Sequence, residues 1–299
     1  MTANNYLKDL ENESIQIIRE ATAESKNPVM LYSIGKDSST IYHLAKKAFY
    51  PSPIPFPLMH VDTGMKFPEM YAFRDSFVQN EKVEFIIHRN EEWVDKAHPE
   101  DMGMDRYLRT MKTQALLDGL KKYNFDLAFG GARREEEKSR AKERVFSFRD
   151  KNGQWNPKAQ RPELWNIYNA DIAPGESIRV FPLSNWTELD IWEYILHENI
   201  PVVPLYFAHK RKVVLRDGSL ISAENPESRL KDQETAVQKT VRFRSLGCIP
   251  ISGCIESSAK SVKDIIKELK SSKTSERGGR TMDKSSESTM ERQKKEGYF

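Results

Sequence analysis

The chain has 299 residues, 38% of them hydrophobic and 30% charged, enough to bury a core and to read as a soluble globular protein of one large domain with extensions. A formal charge of +3, from 47 basic and 44 acidic residues, gives no general reason to expect a nucleic-acid partner. No apolar run approaches the roughly 20 residues of a bilayer span, the start lacks a basic stretch followed by an apolar one, and two cysteines are too few for a disulfide framework; a cytoplasmic protein with no membrane partner is expected.

Leu7, Leu10, Ile17, Ile18 and Ala21 recur at near-helical spacing and predict an amphipathic opening helix that ends before Pro28. Residues 29–32 read as a short buried strand, and Ile41, Leu44, Ala45, Ala48 and Phe49 as the apolar stripe of the helix after it. Strands over 57–61, 83–88, 126–129 and 178–182 then alternate with helices over 69–77 and 113–122. Short apolar strands interleaved with amphipathic helices predict an α/β fold, a parallel sheet with helices on both faces. Thr187 and Asp190 resemble a capping box, with Asp for the usual Glu, ahead of a helix through Leu196. Beyond about residue 205 the alternation fades, which predicts an irregular C-terminal extension with one helix near 260–269. The last stretch, 271–299, is rich in Ser, Lys and Glu and cannot bury itself alone.

The loop between the first strand and its helix is Ser33, Ile34, Gly35, Lys36, Asp37, Ser38, Ser39. In a parallel sheet this is where backbone N–H groups and the helix dipole favour an anion. Gly35 allows close backbone approach or a positive φ, the serines offer hydroxyls, and Lys36 offers a mobile cation, so the residues describe a phosphate cradle. An ordinary turn capped by Asp37 or Ser38 uses the same residue types. The segment does not fit a Walker A loop, because Met30 stands where the first Gly belongs and Asp37 where Ser or Thr should follow the Lys. It resembles the SxGKDS form of the PP-loop of ATP pyrophosphatases and sulfur-assimilation enzymes. That resemblance implies an adenine nucleotide alpha hydrolase-like fold whose loop holds the β and γ phosphates so that they leave together. Attack then falls on the α-phosphorus, with Mg²⁺ and Lys36 neutralising the departing charge.

Asp62 and Thr63 end the second predicted strand, in VDTGMKFPE, within reach of an adenosine beside the loop; a capped turn before a helix accounts for them equally well. After the 126–129 strand, Gly130 and Gly131 followed by Arg133 and Arg134 suggest a backbone turned tightly against a ligand, with guanidinium groups aimed at an anion such as sulfate. Residues 135–138 and 142–144 read instead as a solvated helix of pairing charges. Cys248 and Cys254 are too far apart for a CxxC pair and read as structural.

The runs GGARREEEKSRAKERVFSFRD, GESIRVFPLSNWTELDIWEYI, VRFRSLGC, SERGGR and the final KKEGYF are similar to the small, catalytic-subunit family of the heteromeric bacterial sulfate adenylyltransferases, over almost the whole chain. The resemblance implies a nucleotidyltransferase of sulfate assimilation that turns ATP and sulfate into adenylyl sulfate and diphosphate. It implies Lys36, Arg133 and Arg134 in catalysis, with Ser33, Gly35, Asp37, Ser38, Ser39, Asp62, Thr63, Gly130 and Gly131 at the nucleotide. Arg140, Arg277 and Arg280 are further anion candidates, and no protein metal ligand is assigned. A larger GTPase subunit is the implied partner, its GTP hydrolysis driving formation of a high-energy anhydride. Residues 1–215 would form the nucleotide-binding domain, and 216–299 an extension with a tail that touches substrate or partner. A phosphoadenylyl-sulfate reductase is the nearest alternative, but the chain has no Cys after Cys254 to serve as its thiol nucleophile. A nucleotide-binding scaffold without turnover is the other.

Overall fold

The computed structural model describes residues 3–271 together with 296 and 297. In chain order the elements are α1 (Ala3–Glu24), β1 (Pro28–Leu31), α2 (Lys36–Phe49), β2 (Leu58–Val61), α3 (Pro68–Asn80), β3 (Phe85–His88), α4 (Pro99–Met102) and α5 (Met104–Leu108), the last running through a π-helical turn, Arg109–Gln114, into α6 (Ala115–Lys122). Then follow β4 (Leu127–Phe129), α7 (Lys138–Ala141), β5 (Phe146–Arg149), β6 (Ser177–Val180), α8 (Glu188–Glu198), β7 (His209–Arg216), β8 (Ser219–Ser222), β9 (Val237–Arg242), β10 (Gly253–Glu256) and α9 (Val262–Ser271). No helix among the described residues is long and apolar enough to cross a membrane.

The first sheet has strand order β3-β2-β1-β4-β6-β5, parallel except for β5, an antiparallel edge on β6 that sequence periodicity had not indicated. Successive side chains of a strand point to opposite faces, so Met30 of β1 joins Leu58, Phe129, Val180 and the apolar stripes of α1, α2 and α8 on one side. Val29 joins Met59, Ala128, Leu116 and Leu120 on the other. The inner strands β1, β2, β4 and β6 are buried on both faces, as expected of a parallel sheet covered by helices. Because β1 sits between β2 and β4, the strand order reverses direction at the β1–β4 pair. Ligands of open α/β sheets bind beyond the carboxyl ends of the strands at such a switch point.

The α8 capping box forms as expected: the Thr187 hydroxyl accepts the Asp190 N–H at 3.1 Å and the Asp190 carboxylate accepts the Thr187 N–H at 2.7 Å. Beyond residue 205 the irregular reading is corrected. Strands β7 to β10 close into a small antiparallel barrel of order β10-β8-β7-β9, along which Val213, Val214, Ile221, Val241 and Cys254 are buried. The missed signal was Asp217-Gly218: both take positive φ, 50° and 70°, in the two-residue hairpin turn between β7 and β8, a conformation that Asp-Gly favours. The expected boundary at 215/216 falls at the end of β7, whereas the barrel starts at His209.

Of residues 135–138, Glu135 and Glu136 lie in a turn and bend rather than a solvated helix, and α7 begins only at Lys138. Within 142–144, Glu143 is buried rather than solvated and pairs with buried Arg149 at 2.7 Å.

Candidate active site

The turn from β1 into α2 stands at the switch point. Of the two uses open to Gly35, close backbone approach or a positive φ, the positive φ falls instead on Ile34, at 68°, a buried residue, while Gly35 has φ −84° and ψ 167°. Ser38 Oγ donates to the Gly35 carbonyl at 2.9 Å and Ser33 Oγ to Ser38 Oγ at 3.2 Å, while Tyr32 and Ser39 share hydroxyls at 3.3 Å. The serines thus tie the loop together. Lys36 and Arg133 are each 1% exposed as side chains, and both pair with Asp37, through Lys36 Nζ at 3.0 Å and Arg133 Nε at 2.9 Å. Two buried cations thus share one carboxylate at a helix N-terminus, and Arg133 also lies 3.8 Å from Glu136.

Gly131 stands next to this group for a steric reason. A Cβ there would lie 3.0 Å from Asp37 Cβ, closer than most real Cβ contacts, so the glycine lets the β4 end press on the loop itself. Gly130 donates its N–H to the Val180 carbonyl at 2.9 Å and continues the β4–β6 ladder. Of the two arginines that follow, Arg133 is brought to Asp37, and its Nη1 also reaches Glu135 at 3.3 Å. Arg134 turns the other way: Nη1 donates to Asn185 Oδ1 at 2.5 Å, on the wall of a polar cavity that Glu143, Arg144 and Glu163 also line. Arg140 lies against Glu136 at 3.3 Å and Glu137 at 3.4 Å. Arg277 and Arg280 lie outside the described residues.

The β2 end carries Asp62 and Thr63. Asp62 is buried and accepts from the Gly64 N–H at 3.0 Å, Tyr71 Oη at 2.8 Å and Arg74 Nη1 at 3.3 Å, with Arg89 Nη2 at 3.2 Å. Burial alone would push its carboxyl up, but these hydrogen bonds and the charges of His60 and Arg89 outweigh it and hold the pKa below the ordinary value. Its oxygens therefore organise the turn before α3. Thr63 is buried with its hydroxyl 3.0 Å from Cys248 Sγ. Both cysteines are free and buried. Burial pushes the Cys248 thiol up, but Lys112, on the π-helical turn, Lys66 and the Thr63 hydrogen bond bring it below the usual range.

Three positions at this site were not singled out by sequence reasoning. Arg244 Nη2 pairs with buried Glu188 at 2.5 Å, and the Glu188 N–H, at the start of α8, donates to Glu135 at 2.7 Å. Carboxylates of Glu135 and Glu188 thus join Arg133, the first turn of α8 and Arg244. Tyr206 Oη accepts the Lys36 N–H at 2.8 Å. Alternation in VRFR, with Val241 and Phe243 buried in the core between arginines, was the available signal for Arg244. The segment docks on the β2 end through the Ile249 N–H and the Met65 carbonyl, 2.8 Å apart.

His60, on β2, donates from Nδ1 to the Tyr32 carbonyl at 2.8 Å, a tautomer that leaves Nε2 a buried acceptor with no partner among the described residues. Burial, then the Lys66 charge, lowers its pKa to about 4. The unfolded chain therefore takes up this proton first as pH falls, so the stability from neutral His60 is present above about pH 6.5 and lost toward pH 4. Urea unfolding at about pH 7 and about pH 4.5 should show roughly 2 kcal/mol more loss in the wild type than in His60→Asn, which keeps a donor for Tyr32 but cannot titrate. Equal losses in the two proteins would refute this assignment.

A family model described as "Phosphoadenosine phosphosulfate reductase domain" matches residues 27–254, from β1 into the last barrel strand. "Sulfate adenylyltransferase subunit 2" of Myxococcus xanthus is 58% identical over 295 residues, covering 98% of this chain and 97% of that one. The protein of the same name from Marinomonas sp. is 59% identical, covering 98% of each chain. Among solved structures, a mutant FMN adenylyltransferase of Candida glabrata aligns with TM-score 0.51 at 15% identity, over 92% of this chain and 88% of that one, a likeness of fold. With near-complete coverage at this identity, and with the loop residues assembled at the sheet's switch point, the chain belongs to the sulfate adenylyltransferase subunit 2 family and carries the phosphoadenosine phosphosulfate reductase domain.

Proposed function

We propose that this chain is the catalytic subunit of a sulfate adenylyltransferase, joining ATP and sulfate into adenylyl sulfate with release of diphosphate. The observation that carries the reading is near-full-length identity of 58% and 59% to proteins of that name, and the buried Lys36–Asp37–Arg133 group at the α2 N-terminus supports it. The first turn of α2 and Lys36 hold the β and γ phosphates. A sulfate oxygen attacks the α-phosphorus in line, the bond from that phosphorus to the bridging oxygen breaks, and diphosphate leaves with the electron pair. Positive charge fixed before the reaction starts lowers the cost of the charge that builds on the leaving group. Mg²⁺ enters with the nucleotide as part of the substrate, held mainly by phosphate oxygens and water.

In this reading Arg133 keeps Asp37 and Lys36 in register, and Arg134 and Arg140 remain candidates for sulfate. Residues 1–215 carry the nucleotide chemistry and 216–299 contact substrate or partner, with the structural break at the start of β7. A larger GTPase subunit completes the enzyme, in the cytoplasm, and its GTP hydrolysis offsets the unfavourable equilibrium of anhydride formation. ATP–pyrophosphate exchange, measured with and without sulfate and with and without the larger subunit, tests all of this. Exchange that requires sulfate is the expected result; exchange indifferent to sulfate, or reduction of phosphoadenylyl sulfate with a thiol donor, would remove the reading.

A further inference from the structure

Lys66 stands between the β2 end and α3, a cation that the fold encloses without giving it a counter-charge. It is 9% exposed, yet its ammonium forms no ion pair and donates no hydrogen bond among the described residues. Asp62, close by in the chain, has its oxygens occupied by the Gly64 N–H, Tyr71, Arg74 and Arg89. Lys112 is half-buried, and its ammonium is likewise without an ion pair or hydrogen bond among the described residues. It sits on the π-helical turn Arg109–Gln114, a helix irregularity of the kind found frequently at functional sites.

Both charges bear on one place. Cys248 is buried in the loop between β9 and β10, with its Sγ 3.0 Å from the Thr63 hydroxyl. Burial disfavours its thiolate, while the charges of Lys112 and Lys66 favour it. The Ile249 N–H donates to the Met65 carbonyl at 2.8 Å, which pins this loop beside Lys66. Lys66 is also near enough to His60 for its charge, after burial, to disfavour the imidazolium. His60 Nδ1 in turn lies 2.8 Å from the carbonyl of Tyr32, the residue before the phosphate loop. The lysines therefore meet at the carboxyl edge of the sheet, next to that loop.

We propose that Lys66 and Lys112 form the sulfate-binding site, their two ammonium groups meeting the two negative charges of the acceptor. The inference rests on the transferase reading given above. That reading puts the diphosphate against the first turn of α2, at the end of β1, and in-line attack requires the entering oxygen on the opposite side of the α-phosphorus. Neighbouring strands lie about 4.8 Å apart, so a group at the β2 end is one strand away from the loop. Sulfate is a dianion with four acceptor oxygens and no donor, which suits ammonium groups that have no acceptor of their own. Taking a charge out of water without a partner is costly, and the arriving anion supplies the partner. Arg134 and Arg140 fit this role less well, being held by Asn185 and by Glu136 with Glu137.

Lys66→Met keeps the alkyl stem and removes the charge. In the complex with the larger subunit, its KM for sulfate in ATP–pyrophosphate exchange should rise about 10–100-fold, the loss of a hydrogen bond to an ion. KM for ATP should change less than about twofold, since the diphosphate contacts are untouched. Lys112→Met, at a more exposed position, should raise KM for sulfate by about 3–10-fold. Melting of the ligand-free full chain adds a readout that a purely structural lysine would move the other way. Lys66→Met should melt at or above the wild type, because it removes an enclosed charge that no partner offsets.

A lower melting temperature for Lys66→Met overturns the proposal, as does an unchanged KM for sulfate. An equal rise in KM for ATP overturns it too, by assigning the lysines to the nucleotide. Binding is read apart from turnover by dialysis of radiolabelled sulfate against the full chain with a non-hydrolysable ATP analogue, where Lys66→Met should lose about tenfold or more in affinity. A wild type that retains sulfate through Lys66 but shows no sulfate-dependent exchange counts against the transferase reading alone. Normal exchange with the wild-type KM for sulfate in Lys66→Met removes the lysine assignment alone.

Discussion

Replacing Lys36 by alanine is expected to lower sulfate-dependent ATP–pyrophosphate exchange by about 10²–10³-fold, the usual loss when a fixed group that meets developing negative charge is removed. The ammonium is 1% exposed and held 3.0 Å from Asp37, so it requires little reorganisation as charge moves onto the leaving diphosphate. The fold should survive, because Asp37 retains Arg133 at 2.9 Å and the Lys36 backbone N–H retains Tyr206. Asp37→Ala makes the contrast. It removes the carboxylate that both buried cations share, while Arg133 keeps Glu135 at 3.3 Å and Glu136 at 3.8 Å, so stability should fall by about 1–3 kcal/mol together with activity. Exchange assays beside thermal melts separate the two variants. Normal turnover in a stably folded Lys36→Ala complex would end the leaving-group assignment.

The second large effect lies away from the loop. Glu143→Ala should destabilise the chain by about 3–5 kcal/mol, the cost of leaving a buried charge without its partner. That corresponds to a fall in Tm on the order of 10 °C for a chain of this size. Arg149 is fully buried on edge strand β5, where its Nη2 meets Glu143 at 2.7 Å and its Nη1 donates to Ser147 Oγ at 2.7 Å. Arg179, 1% exposed, lies on neighbouring β6, and burial first, then the charge of Arg149, disfavours its cationic form. Glu143 is favourable to both charges. Exposed Arg144, one residue on, supplies the control: its alanine variant should change stability by no more than about 0.5 kcal/mol. Similar melting of Glu143→Ala and Arg144→Ala would contradict the buried-pair account. A Glu143→Met, Arg149→Met double variant should recover much of the loss, since apolar replacements of a buried ion pair are often neutral.

Those two predictions differ in how far they could be anticipated. Lys36 stood out because strand, loop and helix are contiguous, and the loop chemistry is legible in seven consecutive residues. Glu143 did not, because a run of alternating charges has the same appearance whether it faces water or a buried arginine. Its partner is Arg149, on a strand too short and too polar to announce itself. Arg133 and Arg134 make the same point: adjacent in the chain and chemically identical, they part because one faces the loop pressed against Gly131 and the other faces Asn185. Asp62 stands at a strand end, and its partners Tyr71 and Arg74 come from α3 and Arg89 from the end of β3, which no spacing near Asp62 could show.

The sequence alone was enough to establish the α/β alternation, the position of the loop between β1 and α2, the capping box of α8 and the family. Each of these depends on spacing within a few residues or on resemblance between whole chains, and neither needs the chain to be folded. Tertiary structure decided which charges meet. It placed Asp37 with Arg133, Glu188 with Arg244 and Tyr206 over Lys36, across separations of 96, 56 and 170 residues. Ion pairs and hydrogen bonds act over a few ångströms, so their partners are chosen by strand order and helix packing, and only the folded chain brings those residues within reach of one another.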